Sequence, residues 1–81
     1  MKVKIYITLK EGVLDPQGKA VEHALRALEF EDVEDVRQGK LIELYLTDTD
    51  HNSAHGRVAD MCEKLLANTV IENYDIEISE S

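Results

Sequence analysis

Two stretches of the chain hold side chains at spacings that could do chemistry. In TLKEGVLDPQGKAV, residues 8–21, Gly12 and then Gly18-Lys19 precede a helix-like run, the order of a phosphate-binding loop. Such a loop needs G-x-x-x-x-G-K-[ST], so that successive backbone N–H groups curl around the phosphate and a hydroxyl holds Mg²⁺. Here the two glycines stand one residue too far apart, and Ala20 occupies the hydroxyl position. Pro16 removes a backbone donor where donors are wanted. Asp15 places a carboxylate at the helix end that would otherwise attract the phosphate. The stretch is therefore read as a helix start, with Asp15 as N-cap and Pro16 as first helical residue.

The second stretch, DTDHNSAHG, sets Asp48, Asp50 and Asn52 at the first three ligand positions of a calcium loop. The glycine that the loop requires is Ser53, and the bidentate twelfth ligand is Ala59. His51 and His55 are four apart, but with a helix starting near Ser53, capped by Asn52 or Ser53, they need not share a face. No functional metal site is expected. Cys62 falls on an apolar helical stripe with neither histidine beside it, so it reads as a buried structural thiol. His23 is expected on the outer face of the first helix. The carboxylates are scattered over polar faces, with no pair set apart in an apolar context, so no catalytic constellation is expected.

The elements that carry these residues follow from hydrophobic periodicity. Val3, Ile5, Ile7 and Leu9 alternate with polar positions, the period of a half-buried strand. Val21, Ala24, Leu25 and Leu28 fall at i, i+3, i+4 and i+7, which predicts one apolar helix stripe, with Glu22 and Arg26 paired on the outer face. Val33 and Val36 suggest a short strand ending at RQGK, where Gln38-Gly39 would turn the chain into a run of Ile42, Leu44 and Leu46. Val58, Met61, Cys62 and Leu65 repeat the helical spacing, and Asn68 stops that helix. Tyr74, Ile76 and Ile78 alternate once more. Val21, Leu28 and Val33 are echoed by Val58, Leu65 and Val70 at a constant offset, and Tyr6 by Tyr45 with a small change in loop length.

The order β-α-β-β-α-β predicts a single α+β domain over residues 1–81, a ferredoxin-like two-layer sandwich with both helices on one face of an antiparallel sheet. The other face would carry Lys2, Lys4, Tyr6, Leu41, Glu43, Tyr45, Asp75 and Glu77. A mixed apolar and charged face left open on a small domain is a docking surface. Arg37 and Lys40 flank the expected turn as a local basic patch, either a solvated hairpin or a contact for an acidic partner surface.

Composition narrows the partners. With 17 acids against 9 bases, the 81-residue chain carries a formal net charge of −8, which argues against nucleic acid and anionic membrane surfaces. One cysteine allows no internal disulfide and fits a reducing compartment, and no apolar run nears the ~20 residues of a bilayer span. The strand pattern begins at Lys2, leaving no room for a signal sequence. These features predict a cytoplasmic domain. One Phe and no Trp leave an aliphatic core, and a chain this small gains from self-association.

Three segments, TLKEGVLDPQGKAVEHAL, DVRQGKLIEL and MCEKLLANTVIENY, together resemble PurS, the small subunit of phosphoribosylformylglycinamidine synthase. The likeness spans nearly the whole chain, in order and at the expected length. It implies the ATP-dependent amidation of formylglycinamide ribonucleotide with glutamine as nitrogen donor, a step of purine biosynthesis. It further implies that catalysis belongs to two other subunits, a PurL synthetase that uses ATP and Mg and a PurQ glutaminase, with no cofactor in this chain. The family likeness makes this chain a self-associating adaptor, a dimer or a tetramer, that holds glutaminase against synthetase for ammonia transfer. Asp15, Pro16, Gly18, Arg37, Gly39 and Lys40 match the family's motif positions and are the candidate partner contacts, joined by Tyr6 and Tyr45 on the open face. Thr69 stands where the family usually has Pro, and Asp32 where Gly is common, which bears on the helix ends. From fold alone, the alternative is a small-molecule-sensing regulatory domain.

Overall fold

The computed structural model describes residues 1–47 and 50–79. Strand β1 (Lys2–Leu9) is followed by helix α1 (Pro16–Ala27), strand β2 (Lys40–Tyr45) and helix α2 (His51–Met61). A π-helical turn, Cys62–Leu66, extends α2 before strand β3 (Glu72–Ser79). The strands form one antiparallel sheet in the order β2-β1-β3. The alternation read from the sequence sets its register: Val3 lies between Leu44 and Ile78, and Ile5 between Ile42 and Ile76. Their side chains point to one face, where Val3, Ile5 and Ile7 meet Val58, Cys62 and Ala67 in the core.

The α+β class and the antiparallel sheet are as expected, with three hydrogen-bonded strands among the described residues where the periodicity suggested four. The stretch around Val33 and Val36 has no regular structure and joins no ladder, and no turn forms at Gln38-Gly39. Its backbone groups are taken by side chains instead. Arg26 Nη2 donates to the Val33 carbonyl at 3.1 Å, and the Gln38 N–H donates to Asp15 Oδ2 at 2.8 Å. The segment thus lies along α1 and then leads into β2.

The two helices do not share the sheet face. Helix α2 covers β1 and β3, whereas no residue of α1 enters the core. Glu22, expected on the outer face, is 5 % exposed, while Leu28 of the apolar stripe is 67 % exposed. The reason lies at Gly18, Glu22 and Arg26, one stripe of i, i+4 spacing. At Gly18 a Cβ would come closer than 3.0 Å to the Val36 carbonyl oxygen, a separation real Cβ atoms essentially never show. A missing side chain therefore lets the 33–38 segment settle onto the polar side of α1. Helix and segment form an arm beyond the sheet, and the chain measures 48 × 29 × 14 Å.

The helix ends have local causes. Asp15 caps α1 by accepting from the Gly18 N–H at 2.9 Å, with Pro16 in the first turn, as the sequence predicted. At the other end Glu29 takes φ 74°, Glu29 N donates to Arg26 O and Phe30 N to Leu25 O, a Schellman closure without its usual glycine. Asp32 takes no left-handed conformation. Helix α2 starts earlier than expected, capped by Asp50, which accepts from Asn52 N at 3.1 Å. His51 and His55 are therefore both helical and, four apart, do share an exposed face. The π turn adds a residue to the last turn, so Leu66 rather than Leu65 packs on the core and Leu65 is 82 % exposed. The echoed halves therefore differ in packing, since Val58 is buried and Val21 is not.

Candidate partner interface

Six of the eight candidate residues meet at the end of the sheet where α1 begins. Asp15 organises this junction from a 7 % exposed position. One carboxylate oxygen accepts from Gly18 N and the other from Gln38 N at 2.8 Å, so a single side chain ties the helix start to the 33–38 segment. Those two backbone bonds, the Gln38 N–H foremost, with Arg37 Nε 3.9 Å away, hold its pKa below the usual carboxylate range. Arg37 also clamps the end of β1, donating to the Leu9 carbonyl at 2.8 Å and the Lys10 carbonyl at 3.3 Å. Gly39 passes so near the Ile7 carbonyl oxygen that a Cβ there would fall under 3.0 Å.

Lys40 closes the junction from the β3 side. Its Nζ lies 3.3 Å from Glu72 Oε2, while Glu72 Oε1 accepts from the Asn68 N–H at 2.7 Å. That backbone bond first, then Lys40, lowers the Glu72 pKa. Between these groups a groove of about 300 Å³ is walled by Ile7, Leu9, Pro16, Gly39, Lys40 and Glu72. Arg37 and Lys40 are thus neither a solvated hairpin nor a loose patch: both are engaged within the chain. Glu72 was not singled out in the sequence, although a signal was there. Counting back by two from Ile78, Ile76 and Tyr74 places Glu72 on the inner face, where a lone carboxylate needs partners.

Tyr6 and Tyr45 lie apart from the junction, on the opposite sheet face. That face presents Lys2 opposite Tyr45, Lys4 between Glu43 and Glu77, and Tyr6 between Leu41 and Asp75. The Tyr6 hydroxyl donates to Glu77 Oε2 at 2.8 Å, which raises the phenol's pKa, and Lys2 Nζ lies 3.4 Å from Glu43. Leu41 is 50 % and Tyr45 70 % exposed, so aromatic and aliphatic surface stands bordered by charged groups, as an apolar interface centre is bordered by a polar rim.

Other chemistry finds little support in the geometry. Cys62 is buried and its thiol pKa is raised, chiefly by that burial, which opposes the thiolate a nucleophile needs. Among the described residues no group of three or more His, Cys, Asp and Glu side chains is placed to hold a metal ion. Asp48 of the calcium-loop reading lies outside the described residues. Among them, no helix is long and apolar enough to cross a membrane.

Comparison with known proteins gives this geometry its family. Residues 2–80 match the model of PurS, phosphoribosylformylglycinamidine (FGAM) synthase. The chain is 54 % identical to the FGAM synthase subunit PurS of Bacillus subtilis over 79 residues, 98 % of this chain and 93 % of that one. The solved B. subtilis PurS structure superposes with a TM-score of 0.86 and covers 98 % of each chain. Methanocaldococcus jannaschii PurS reaches a TM-score of 0.90 at 36 % identity, covering 99 % of this chain and 96 % of its own. A chain of the Thermotoga maritima PurLQS structure matches at 0.85 and 33 % identity, over 94 % and 93 %. The chain belongs to the PurS family of FGAM synthase.

Proposed function

We propose that this chain is the non-catalytic small subunit of a FGAM synthase, holding a PurQ-like glutaminase against a PurL-like synthetase so that ammonia passes between them. The observation that supports it most is full-length similarity to a chain solved within a PurLQS structure. The residue-level picture agrees. The converging polar groups, Asp15, Arg37, Lys40 and Glu72, are spent on holding the arm to the sheet. On this reading ATP and Mg belong to the synthetase, the chain itself carries no cofactor, and the complex works in the cytoplasm.

The open face is the partner surface of this account, with Tyr6 and Tyr45 as contacts. Asp15, Pro16, Gly18, Arg37, Gly39 and Lys40 serve the partners by fixing the groove and the angle of the arm. The test is reconstitution with the cognate synthetase and glutaminase, with glutamine and ADP present, followed by a mass measurement. A ternary assembly that needs this chain supports the reading, and an assembly of unchanged mass without it refutes it.

A further inference from the structure

Helix α2 begins at His51, before the start expected near Ser53, so His51 and His55 both lie within it. Four residues apart, they sit one turn from each other, about 6 Å along the axis and about 40° round it. Their Cβ atoms are then about 5–6 Å apart, close enough for two imidazole nitrogens to converge on one ion at about 2.0–2.1 Å. Both residues are exposed, and among the described residues neither ring has a hydrogen-bond or ion-pair partner. They differ in this from Asp15, Arg37, Lys40 and Glu72, whose polar groups are spent on the junction.

The surroundings admit a cation. Arg57, the one Lys or Arg of α2, lies on the far side of the helix, about 160° round from His55 and about 120° from His51. Ala54 and Val58, at the adjoining positions, are buried. The helix start carries a partial positive charge, which the Asp50 carboxylate at the cap offsets. The chain's net charge of −8 adds a field that draws cations. We propose that His51 and His55 chelate one divalent transition ion of the imidazole-preferring class, Cu²⁺ more tightly than Ni²⁺ or Zn²⁺, with water at the remaining positions. Ca²⁺ and Mg²⁺ take oxygen ligands and are not held by this pair. The bound ion ties the first turn of α2 to the second, and so steadies the helix that covers β1 and β3. With two protein ligands it is a surface staple and not a cofactor of the amidation.

The site stands apart from the subunit reading, because its test uses the chain alone. Calorimetric titration with Cu²⁺ should show one site per chain, and Ca²⁺ should give no heat beyond dilution. His51→Gln and His55→Gln should each weaken Cu²⁺ binding at least ~10-fold, since either change destroys the chelate and leaves a single imidazole. His23→Gln, on α1, should leave it unchanged. Circular dichroism should be the same in all three, because the replaced side chains are exposed. Spacing is tested by moving one ring. His55→Gln with Gly56→His keeps three histidines but sets the pair five apart, about 140° round the helix, and should not restore binding. Position 56 has room for the ring's stem, with nothing within 4 Å of a built Cβ. Saturating Cu²⁺ should also raise the Tm of the native chain and of neither single variant. Equal affinity in the two single variants, or restored binding at the five-residue spacing, marks an adventitious ion only and overturns the proposal. Comparable binding of Ca²⁺ overturns it as well.

Discussion

Two glycines in helices should answer the same substitution with opposite signs. By intrinsic propensity, Gly→Ala inside a helix stabilises by about 1 kcal/mol. Gly56 in α2 has nothing within 4 Å of a built Cβ, so Gly56→Ala should gain about that amount. At Gly18 in α1 a Cβ would fall below 3.0 Å from the Val36 carbonyl oxygen and 2.7 Å from Asp15 Oδ2. The new methyl must push the 33–38 segment off the helix, an overpacking cost of about 1–3 kcal/mol. It also disturbs the carboxylate that caps the helix and holds Gln38. With the disturbed cap added the cost exceeds the propensity gain, and Gly18→Ala should lose up to about 2 kcal/mol net. Urea titration followed by circular dichroism, at one fixed protein concentration, reads both. In thermal scans each kcal/mol corresponds to a shift of about 4–8 °C for a domain of this size. A Gly18→Ala chain as stable as the Gly56→Ala chain would refute the placement of the 33–38 segment on the polar side of α1.

Other consequences are as direct. Asp15 and Glu72 are stabilised as carboxylates in the fold, so their contribution is complete above the ordinary carboxylate pKa values of about 4 and is lost as pH falls through their lowered folded values. Asp15→Asn should therefore flatten the acid limb of a stability–pH profile, and an unchanged slope would remove Asp15 from the junction. Glu29→Gly should stabilise by about 1 kcal/mol, since glycine relieves the left-handed φ of 74° that closes α1; a destabilised variant in the same urea titration would contradict that closure. Tyr6→Ala with Tyr45→Ala should weaken co-elution with the two partner subunits while leaving circular dichroism unchanged. Undiminished co-elution would clear the open face of that role.

The sheet was legible in the sequence because period two survives wherever one face is buried. The eight residues expected on the open face are those that the register places there. The arm was not legible, for a physical reason. Val33 and Val36 carry strand-like side chains, but whether a strand joins a ladder depends on which side chains compete for its backbone groups, and here Arg26 as donor and Asp15 as acceptor win. The stripe of α1 was read correctly as apolar and wrongly as inward, because periodicity gives a face and not its direction. Gly18 held the contrary signal: with Glu22 and Arg26 it marks a second stripe, narrow enough for a backbone to lie against. At the candidate interface the motif residues could be named from the sequence. Their division of labour needed coordinates, since Arg37 and Lys40 are joined to Leu9 and Glu72 far along the chain.

The most direct test of the central claim is the rate of FGAM formation by the cognate synthetase and glutaminase, with glutamine as donor, measured with and without this chain. The account predicts little product until the chain is added, and neither glutaminase nor ATPase activity from the chain alone. A full glutamine-dependent rate from the two larger subunits by themselves would contradict it.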